Sequence, residues 1–347
     1  MKRIGVLTGG GDAPGINAVL RAVVLAARGR GTEVLGIRDG FGGFLEADGT
    51  VELGEESVRG LLWRGGSILG CNNLYRGDSR RFVERMGGLG LDGLVVVGGD
   101  GTLAIASAMH EGGSAVVGVP KTIDNDVAGT DLTFGFDSAV SVVAEACGRL
   151  IDTGESHHRV MVVEVMGRHS GHLALHGALA GGADVALVPE IPYEPERVAE
   201  VVRERATRGR TYTLIVVAEG AVRRGGAPVV DARRTTATGS ERLGGVGRRL
   251  TSELAGILGA EHEVRAIQLG HLQRGGPPTA FDRVLGTRLA VRATHALLDG
   301  ERGIFSAWRR GEVTTAELSV AAQGARRLSP DDPLLAAART VHIRFGD

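Results

Sequence analysis

Residues 120–126 read Pro-Lys-Thr-Ile-Asp-Asn-Asp, directly after the short apolar run Ala115–Val119. A cation, a hydroxyl and two carboxylates, at Lys121, Thr122, Asp124 and Asp126, fall in one short stretch. Only one residue separates Asp124 from Asp126, so an extended segment turns both to one side. Two carboxylates so placed can divide the labour of a transfer reaction: one holds a divalent cation, the other takes a proton from a nucleophilic hydroxyl. Asp-Asn-Asp is also good turn chemistry, since Asx side chains bond to nearby backbone.

Two further stretches weigh against a plain turn. "LTGGGDAPGINAVLRAVV" (7–24) runs from a strand-like segment through glycines into an amphipathic helix. Glycines let backbone N–H groups approach an anion, and the helix N-terminus adds positive potential. The loop is neither a Walker A sequence nor a Gly-x-Gly-x-x-Gly fingerprint, so alone it is also readable as a tight turn. "LVVVGGDGTLAIASAM" (94–109) repeats the pattern with Asp100 inside the turn. A carboxylate beside phosphate-binding N–H groups repels a phosphate unless a cation lies between them. Asp100 therefore reads as a Mg²⁺ ligand, or else as an N-cap of the following helix.

All three stretches need a scaffold that delivers loops to one edge. Apolar runs rich in Val, Ile and Leu occur at Ile4–Leu7, Val34–Ile37, Leu94–Val97, Ala115–Val119, Val160–Val165, Asp184–Val188, Leu214–Ala218 and Ala266–Leu269. They show little polar alternation, as expected for parallel strands buried on both faces. Helical spacing follows at Ile16–Ala27, Thr102–His110, Ser138–Leu150 and Gly171–Ala180. This alternation predicts layered α/β architecture, with ligands beyond the carboxyl ends of the strands. The stretch Val222–Arg249, rich in Gly and Arg, reads as a long mobile loop or insertion.

Composition narrows the partners. The 347 residues suffice for two domains, and 40 basic against 41 acidic side chains give a net charge of −1. Nothing in that balance favours nucleic acid or a membrane surface. No apolar stretch has the length of a membrane span, and the N-terminus does not read as a signal peptide. Two cysteines build no disulfide framework, which predicts a reducing, cytoplasmic setting. The 56 glycines, roughly twice average usage, cluster after apolar runs.

Gly-Gly-Asp-Ala-Pro-Gly at 10–15, Gly-Gly-Asp-Gly-Thr at 98–102 and Pro-Lys-Thr-Ile-Asp-Asn-Asp at 120–126 resemble the 6-phosphofructokinase family. So do "VVEVMGRHSGHLAL" (162–175) and "LGHLQRGGPPTAFDR" (269–283), and the match runs in order from residue 4 to about 300. The resemblance implies a pair of Rossmann-like three-layer α/β domains with mainly parallel sheets, the chain crossing between them. Residues 1–135 with about 273–323 would bind the donor, and 136–272 with about 324–347 would bind fructose 6-phosphate. It further implies that Asp124 is the general base for the sugar's 1-hydroxyl, with Thr122 beside the transferred phosphoryl group. Arg168 would neutralise charge on that group, a role suited to a planar, permanently charged guanidinium. Asp100, helped by Asp126, would hold Mg²⁺. Gly11, Gly99, Gly101, Thr102 and Lys121 would form the donor site. Met166, Gly167 and Glu219 would shape the sugar site, while His271 and Arg274 bind the 6-phosphate. Arg159 and Arg265 would reach that phosphate from a neighbouring subunit, which requires a homo-oligomer, tetramer or dimer.

The family divides by phosphoryl donor. Gly101 stands where pyrophosphate-using members tend to carry Asp, and it leaves room for a nucleotide. Lys121 points the other way, being usual in pyrophosphate enzymes. Cys71, Asn72 and Asn73, with Arg76 later, occupy a donor loop where many bacterial ATP enzymes carry arginine after Ile-Leu-Gly. Because Lys121 excludes no nucleotide, ATP is the expected donor, pyrophosphate the alternative, and a non-catalytic sugar-phosphate sensor the second alternative.

Overall fold

The structure, a computed structural model, describes residues 1–72, 78–235 and 241–347. It divides into two compact units: Met1–Ser138 with Arg274–Arg326, and Ala139–Gln273 with Arg327–Asp347.

The first unit begins β1 (Arg3–Thr8), α1 (Ile16–Arg28), β2 (Glu33–Ile37), β3 (Thr50–Leu53), α2 (Ser79–Gly88), β4 (Gly93–Gly98), α3 (Asp100–Glu111) and β5 (Val116–Pro120). Helix α4 (Phe136–His157) starts in this unit and carries the chain into the second. There follow β6 (Arg159–Val165), α5 (His172–Gly181), β7 (Val185–Leu187), α6 (Pro195–Thr207), β8 (Thr213–Ala218), β9 (Val230–Thr235), β10 (Glu241–Leu243), α7 (Val246–Leu258) and β11 (Glu263–Gln268). The return to the first unit adds α8 (Ala280–Leu298), β12 (Ile304–Arg309), β13 (Glu312–Glu317) and α9 (Leu318–Ala321), and α10 (Pro333–Thr340) closes the second.

Among the described residues the first unit has one sheet in the order β13-β12-β5-β4-β1-β2-β3. Its five inner strands are parallel, and β3 and β13 add antiparallel edges. The Val-rich strands are buried on both faces, as their lack of alternation requires. Val95 and Val97 pack with α1 and α8 residues such as Val19 and Leu289. Leu94 and Val96 face Leu103, Met109 and Phe82 on the other side. From β1 the chain goes to β2 on one side and later to β4 on the other. The loops after β1 and β4 therefore diverge at a topological switch point, where such sheets open a ligand crevice.

The second unit carries the parallel sheet β11-β6-β8-β7. Its switch point lies between β6 and β11, which flank each other while the chain between them visits β7 and β8. Val162, Ile215, Val217 and Leu250 lie in its core.

Two sequence expectations need correction here. The stretch 222–249, read as a long mobile loop or insertion, is not a plain loop in its described part: β9 and β10 pair as a two-stranded antiparallel sheet and α7 begins at Val246, while 236–240 lie outside the described residues. Among the described residues this ribbon joins no larger sheet, so it needs no apolar face, and its polar composition concealed it. Strand β11 starts at Glu263, three residues before the apolar run, because it is an edge strand whose Glu263 and Arg265 face solvent.

The first helical turns of α4 and α8 hold each other. Asp282, in the first turn of α8, accepts from the backbone N–H (2.8 Å) and hydroxyl (2.6 Å) of Ser138. Thr279, the N-cap of α8, donates to Asp137 at 2.6 Å. Each helix thus has a carboxylate at its positive end, supplied by the other. Burial pushes the Asp282 carboxyl up to about 6.

Candidate active site

In the first unit three loops leave the carboxyl ends of adjacent strands β1, β4 and β5. The β4–β5 register pairs Gly98 with Pro120, which sets Gly99 and Asp100 beside Lys121. Thr102 is buried against both glycine loops: a Cβ on Gly98 would stand 2.3 Å from the Thr102 methyl, and one on Gly9 would stand 2.6 Å from it. Glycine at 98 is thus a packing requirement, quite apart from any ligand.

Lys121 is 3% exposed, and its ammonium donates to the carbonyl of Gly9 at 3.0 Å and to that of Gly11. The lysine on the third loop therefore ties down the first. Burial lowers its pKa to about 8, opposed by the neighbouring Cys71 thiol and, further down, by the carboxylates of Asp12 and Asp124, while Arg274 lowers it further. Beside it opens a cavity of about 330 Å³ lined by Gly10, Gly11, Asp12 and Cys71. Cys71 is half-buried, and burial raises its thiol pKa. Asn73 and Arg76 lie outside the described residues.

Asp124 is 4% exposed; its N–H donates to the Thr122 hydroxyl at 3.0 Å. Among the described residues its carboxylate oxygen Oδ1 has no hydrogen-bond partner. A buried carboxylate oxygen without a partner costs free energy, and a catalytic role is one explanation for keeping it. The extended segment expected for Asp124–Asp126 is not found. Asn125 is left-handed (φ 52), and its side chain bonds to Thr133 N–H at 2.9 Å and to the Asp131 carbonyl at 3.1 Å. The triplet is a turn with buried carboxylates on either side of a strained asparagine.

Asp100 opens α3, with Gly99 as the N-cap residue, so Asp100 itself is not the N-cap. Next to it, a Cβ on Gly101 would meet no atom within 4 Å. Arg274 lies with the first loop: its guanidinium donates to the Asp12 carbonyl at 2.9 Å, and a Cβ on Gly11 would touch it at 2.9 Å. Its sequence neighbour His271 belongs to the second unit and is exposed.

In the second unit the carboxyl ends of β6, β8 and β11 bring together Met166–Arg168, Glu219 and the turn Gly270–Gln273. The Glu219 carboxylate accepts from Arg168 N–H at 3.1 Å, and Gln273 Oε1 accepts from Met166 N–H at 3.3 Å. Gly167 (φ 134) occupies a conformation closed to residues with a Cβ, and Arg168 follows in the left-handed region at φ 50. A non-glycine residue held there stores about 1–3 kcal/mol, a cost that recurs at functional sites. The Arg168 side chain is exposed.

Arg159 and Arg265 are not part of that cluster. Arg159 is the first residue of β6, so six steps of about 3.3 Å put it roughly 20 Å from the strand's carboxyl end. Its guanidinium bonds Glu263 at 2.6 Å, and Arg265 pairs with the same carboxylate.

Three supporting residues, Glu164, Gln273 and Arg326, carry no role in the sequence reading. Glu164, buried within β6, accepts from Gly245 N–H, Gly247 N–H and the Gln268 amide, each at 2.8 Å, and so anchors the start of α7. A lone glutamate among valines was the available signal. Gln273 and Arg326 act on backbone groups, and nothing in their local sequence announces it, whereas the backbone bonds of the Asn125 side chain follow from the turn chemistry of Asp-Asn-Asp.

A family model described as Phosphofructokinase matches residues 3–297. A Chloroflexus aurantiacus protein named ATP-dependent 6-phosphofructokinase is 47% identical over 358 aligned positions, covering 100% of this chain and 98% of that protein. An Amycolatopsis methanolica protein named pyrophosphate–fructose 6-phosphate 1-phosphotransferase is 48% identical over 334 positions, covering 95% and 97%. Among solved structures, phosphofructokinase from Saccharomyces cerevisiae matches with a TM-score of 0.82 and 31% identity over 93% of this chain. This chain spans 45% of that longer one. With a motif-bearing match over most of its length, the chain belongs to the phosphofructokinase family.

Proposed function

We propose that the chain transfers the terminal phosphoryl group of ATP to the 1-hydroxyl of fructose 6-phosphate, giving fructose 1,6-bisphosphate and ADP. The observation that carries this reading is the Lys121 ammonium tying the third post-strand loop to the first, with Thr102 of the second packed against Gly9 and the Asp124 oxygen on the third loop without a partner among the described residues. Asp124 takes the proton of the attacking hydroxyl, and Thr122 beside it contacts the phosphoryl group in transit. Lys121 spends two donors on the Gly9 and Gly11 carbonyls; an ammonium has three, so one remains for the donor's phosphate. Gly11, Gly99 and Thr102 belong to the loops that present backbone N–H groups to it, and Arg274 holds the first of these loops through Asp12.

Asp100 and Asp126 suit Mg²⁺. No group of three or more His, Cys, Asp or Glu side chains is gathered for a metal among the described residues. Two carboxylates on adjacent loops leave the rest of an octahedral shell to water and phosphate, which is the Mg²⁺ habit. When bound, the ion neutralises charge on the donor phosphates. On the acceptor side Met166, Gly167 and Glu219 shape the sugar site, Arg168 offsets charge on the transferred group, and His271 faces the 6-phosphate.

Arg159 and Arg265 serve the 6-phosphate of a neighbouring copy in a homo-oligomer. Their distance from Met166–Arg168 within one chain supports this, since one phosphate cannot touch both ends of β6. Mixing Asp124→Ser with Arg159→Ala chains tests it: random pairwise exchange restores about a quarter of the sites, each with its own Asp124 and a partner's arginine. Sites complete within one chain recover nothing.

For the donor, the open space at Gly101 and the full-length relative named ATP-dependent support ATP. Lys121 and the relative named for pyrophosphate support the second reading. Assaying the protein with Mg²⁺ and fructose 6-phosphate, with ATP or pyrophosphate supplied separately, decides between them. Turnover with ATP alone is expected; turnover with pyrophosphate alone reverses the assignment. Among the described residues no helix is long and apolar enough to cross a membrane, and the reaction proposed uses only water-soluble substrates, which supports a cytoplasmic setting.

A further inference from the structure

Arg326 is the last residue of the first unit, two hundred positions beyond the turn it touches. Its backbone N–H donates to the Asp126 carbonyl at 2.6 Å, next to an antiparallel bridge between Val127 and Ala325. Its guanidinium Nη2 donates to the Asn125 carbonyl at 2.8 Å and to the Asp131 carbonyl at 3.1 Å. Asn125 is the left-handed residue of the turn. Its side chain is bonded on the inner face to Thr133 and Asp131, and Thr133 in turn donates to the Thr122 carbonyl at 2.9 Å. Arg326 completes the frame by fixing the carbonyl on which the turn reverses.

We propose that Arg326 is a positioning residue: its guanidinium holds the Asn125 peptide in the strained conformation that sets where the Asp124 and Asp126 carboxylates stand. The inference rests on the reading of Asp124 as general base and Asp126 as a cation ligand. A planar fork suits the task because one nitrogen bonds two carbonyls about a fixed direction, which a lysine ammonium on a flexible stem does not reproduce. The backbone bond to Asp126 and the Val127–Ala325 bridge survive any substitution except proline. Truncating the side chain therefore isolates the guanidinium from the strand pairing beneath it.

The experiment compares Arg326→Ala and Arg326→Lys with the wild type. For Arg326→Ala we expect kcat to fall about 10- to 100-fold, as for a sub-ångström misplacement of a catalytic group, with both substrate KM values within about twofold. Arg326→Lys falls between, and millimolar guanidinium ion raises the kcat of Arg326→Ala but not of the wild type. Hydrogen exchange provides a readout that needs no turnover: the Asp124 and Thr133 amides exchange faster in Arg326→Ala, with the rest of the first unit unchanged. A kcat within twofold of wild type together with unchanged exchange overturns the proposal. So does a loss accompanied by faster exchange throughout the unit, which marks a plain strut. If the wild type phosphorylates no fructose 6-phosphate with either donor, the function proposed above fails by itself. The exchange rates then decide Arg326 alone, faster local exchange supporting it and unchanged exchange rejecting it.

Discussion

The two units bring charge to the carboxyl ends of their sheets in opposite ways. In the first, Lys121, Asp124 and Asp126 are buried; the Lys121 ammonium bonds across to the first loop, and the Asp124 N–H bonds Thr122 within its own loop. In the second, Arg168 and His271 are exposed, and what is fixed is the backbone beneath them, through Gly167, Glu219 and Gln273. Buried charges act in a low dielectric, so each is strong and each is costly to leave without a partner. Exposed charges cost little to keep and reach a ligand by rotating. The first arrangement suits chemistry, where atoms must already be in place; the second suits the capture of an anionic substrate.

Substitutions can break or sharpen this contrast. The largest effect belongs to the first unit: Asp124→Ser lowers kcat about 10³-fold, within the range of general-base removal, while calorimetry still finds fructose 6-phosphate bound. Melting temperature is unchanged or higher, because a buried, partnerless carboxylate oxygen has been removed. A fall in melting temperature with activity kept would make Asp124 structural.

Arg168→Ala comes next, with kcat down about 10²-fold, the cost of one electrostatic stabiliser. Thermal unfolding should not register it, since the side chain is exposed. Activity retained in this variant would remove the second unit from the chemistry altogether.

Lys121 gives a pH signature. Its pKa in the fold, about 8, lies below the ordinary 10.5. The folded protein therefore binds fewer protons than the unfolded chain between these values, and stability rises with pH across that window. Donor binding moves the other way: at pH 9 about a tenth of the lysines are charged, so donor KM rises about tenfold from pH 7 to pH 9. Lys121→Met should show a weak donor KM that is flat over the same range. A wild-type profile just as flat would place the lysine outside donor binding.

The smallest effect is expected at the amino end of the second sheet. Glu263 is solvent-exposed, and its bond from Arg159, with one from Arg265, holds its carboxyl below the usual range. Exposed ion pairs contribute little to stability. Glu263→Gln should leave melting temperature unmoved while altering KM for fructose 6-phosphate, as its neighbouring arginines lose a competing anion. A clear drop in melting temperature would mean that this pair holds the strands together.

Local patterns carried much of the fold. Runs such as Leu94–Val97 and Leu214–Ala218 are apolar at every position, which only a strand covered on both faces tolerates, and helical spacing after them required crossovers. Strands β12 and β13 lack a continuous apolar run: in β12 Ser306 and Arg309 interrupt the apolar residues, and β13 is a polar edge strand. Strand β3, also an edge, failed for the same reason. The loops after β1, β4 and β5 were visible because glycine and aspartate interrupt apolar sequence there.

By itself, then, the sequence determined which residue types follow which strands, because hydrophobic period and turn chemistry are written over a few neighbouring positions. Tertiary structure decided what those residues touch. Lys121 reaches the carbonyls of Gly9 and Gly11 more than a hundred positions away, Arg274 lies on Asp12, and Arg326 braces Asn125. The acceptors in each case are backbone carbonyls, which every residue possesses. No side-chain pattern marks which carbonyl is chosen; only the sheet order and the packing of the loops do.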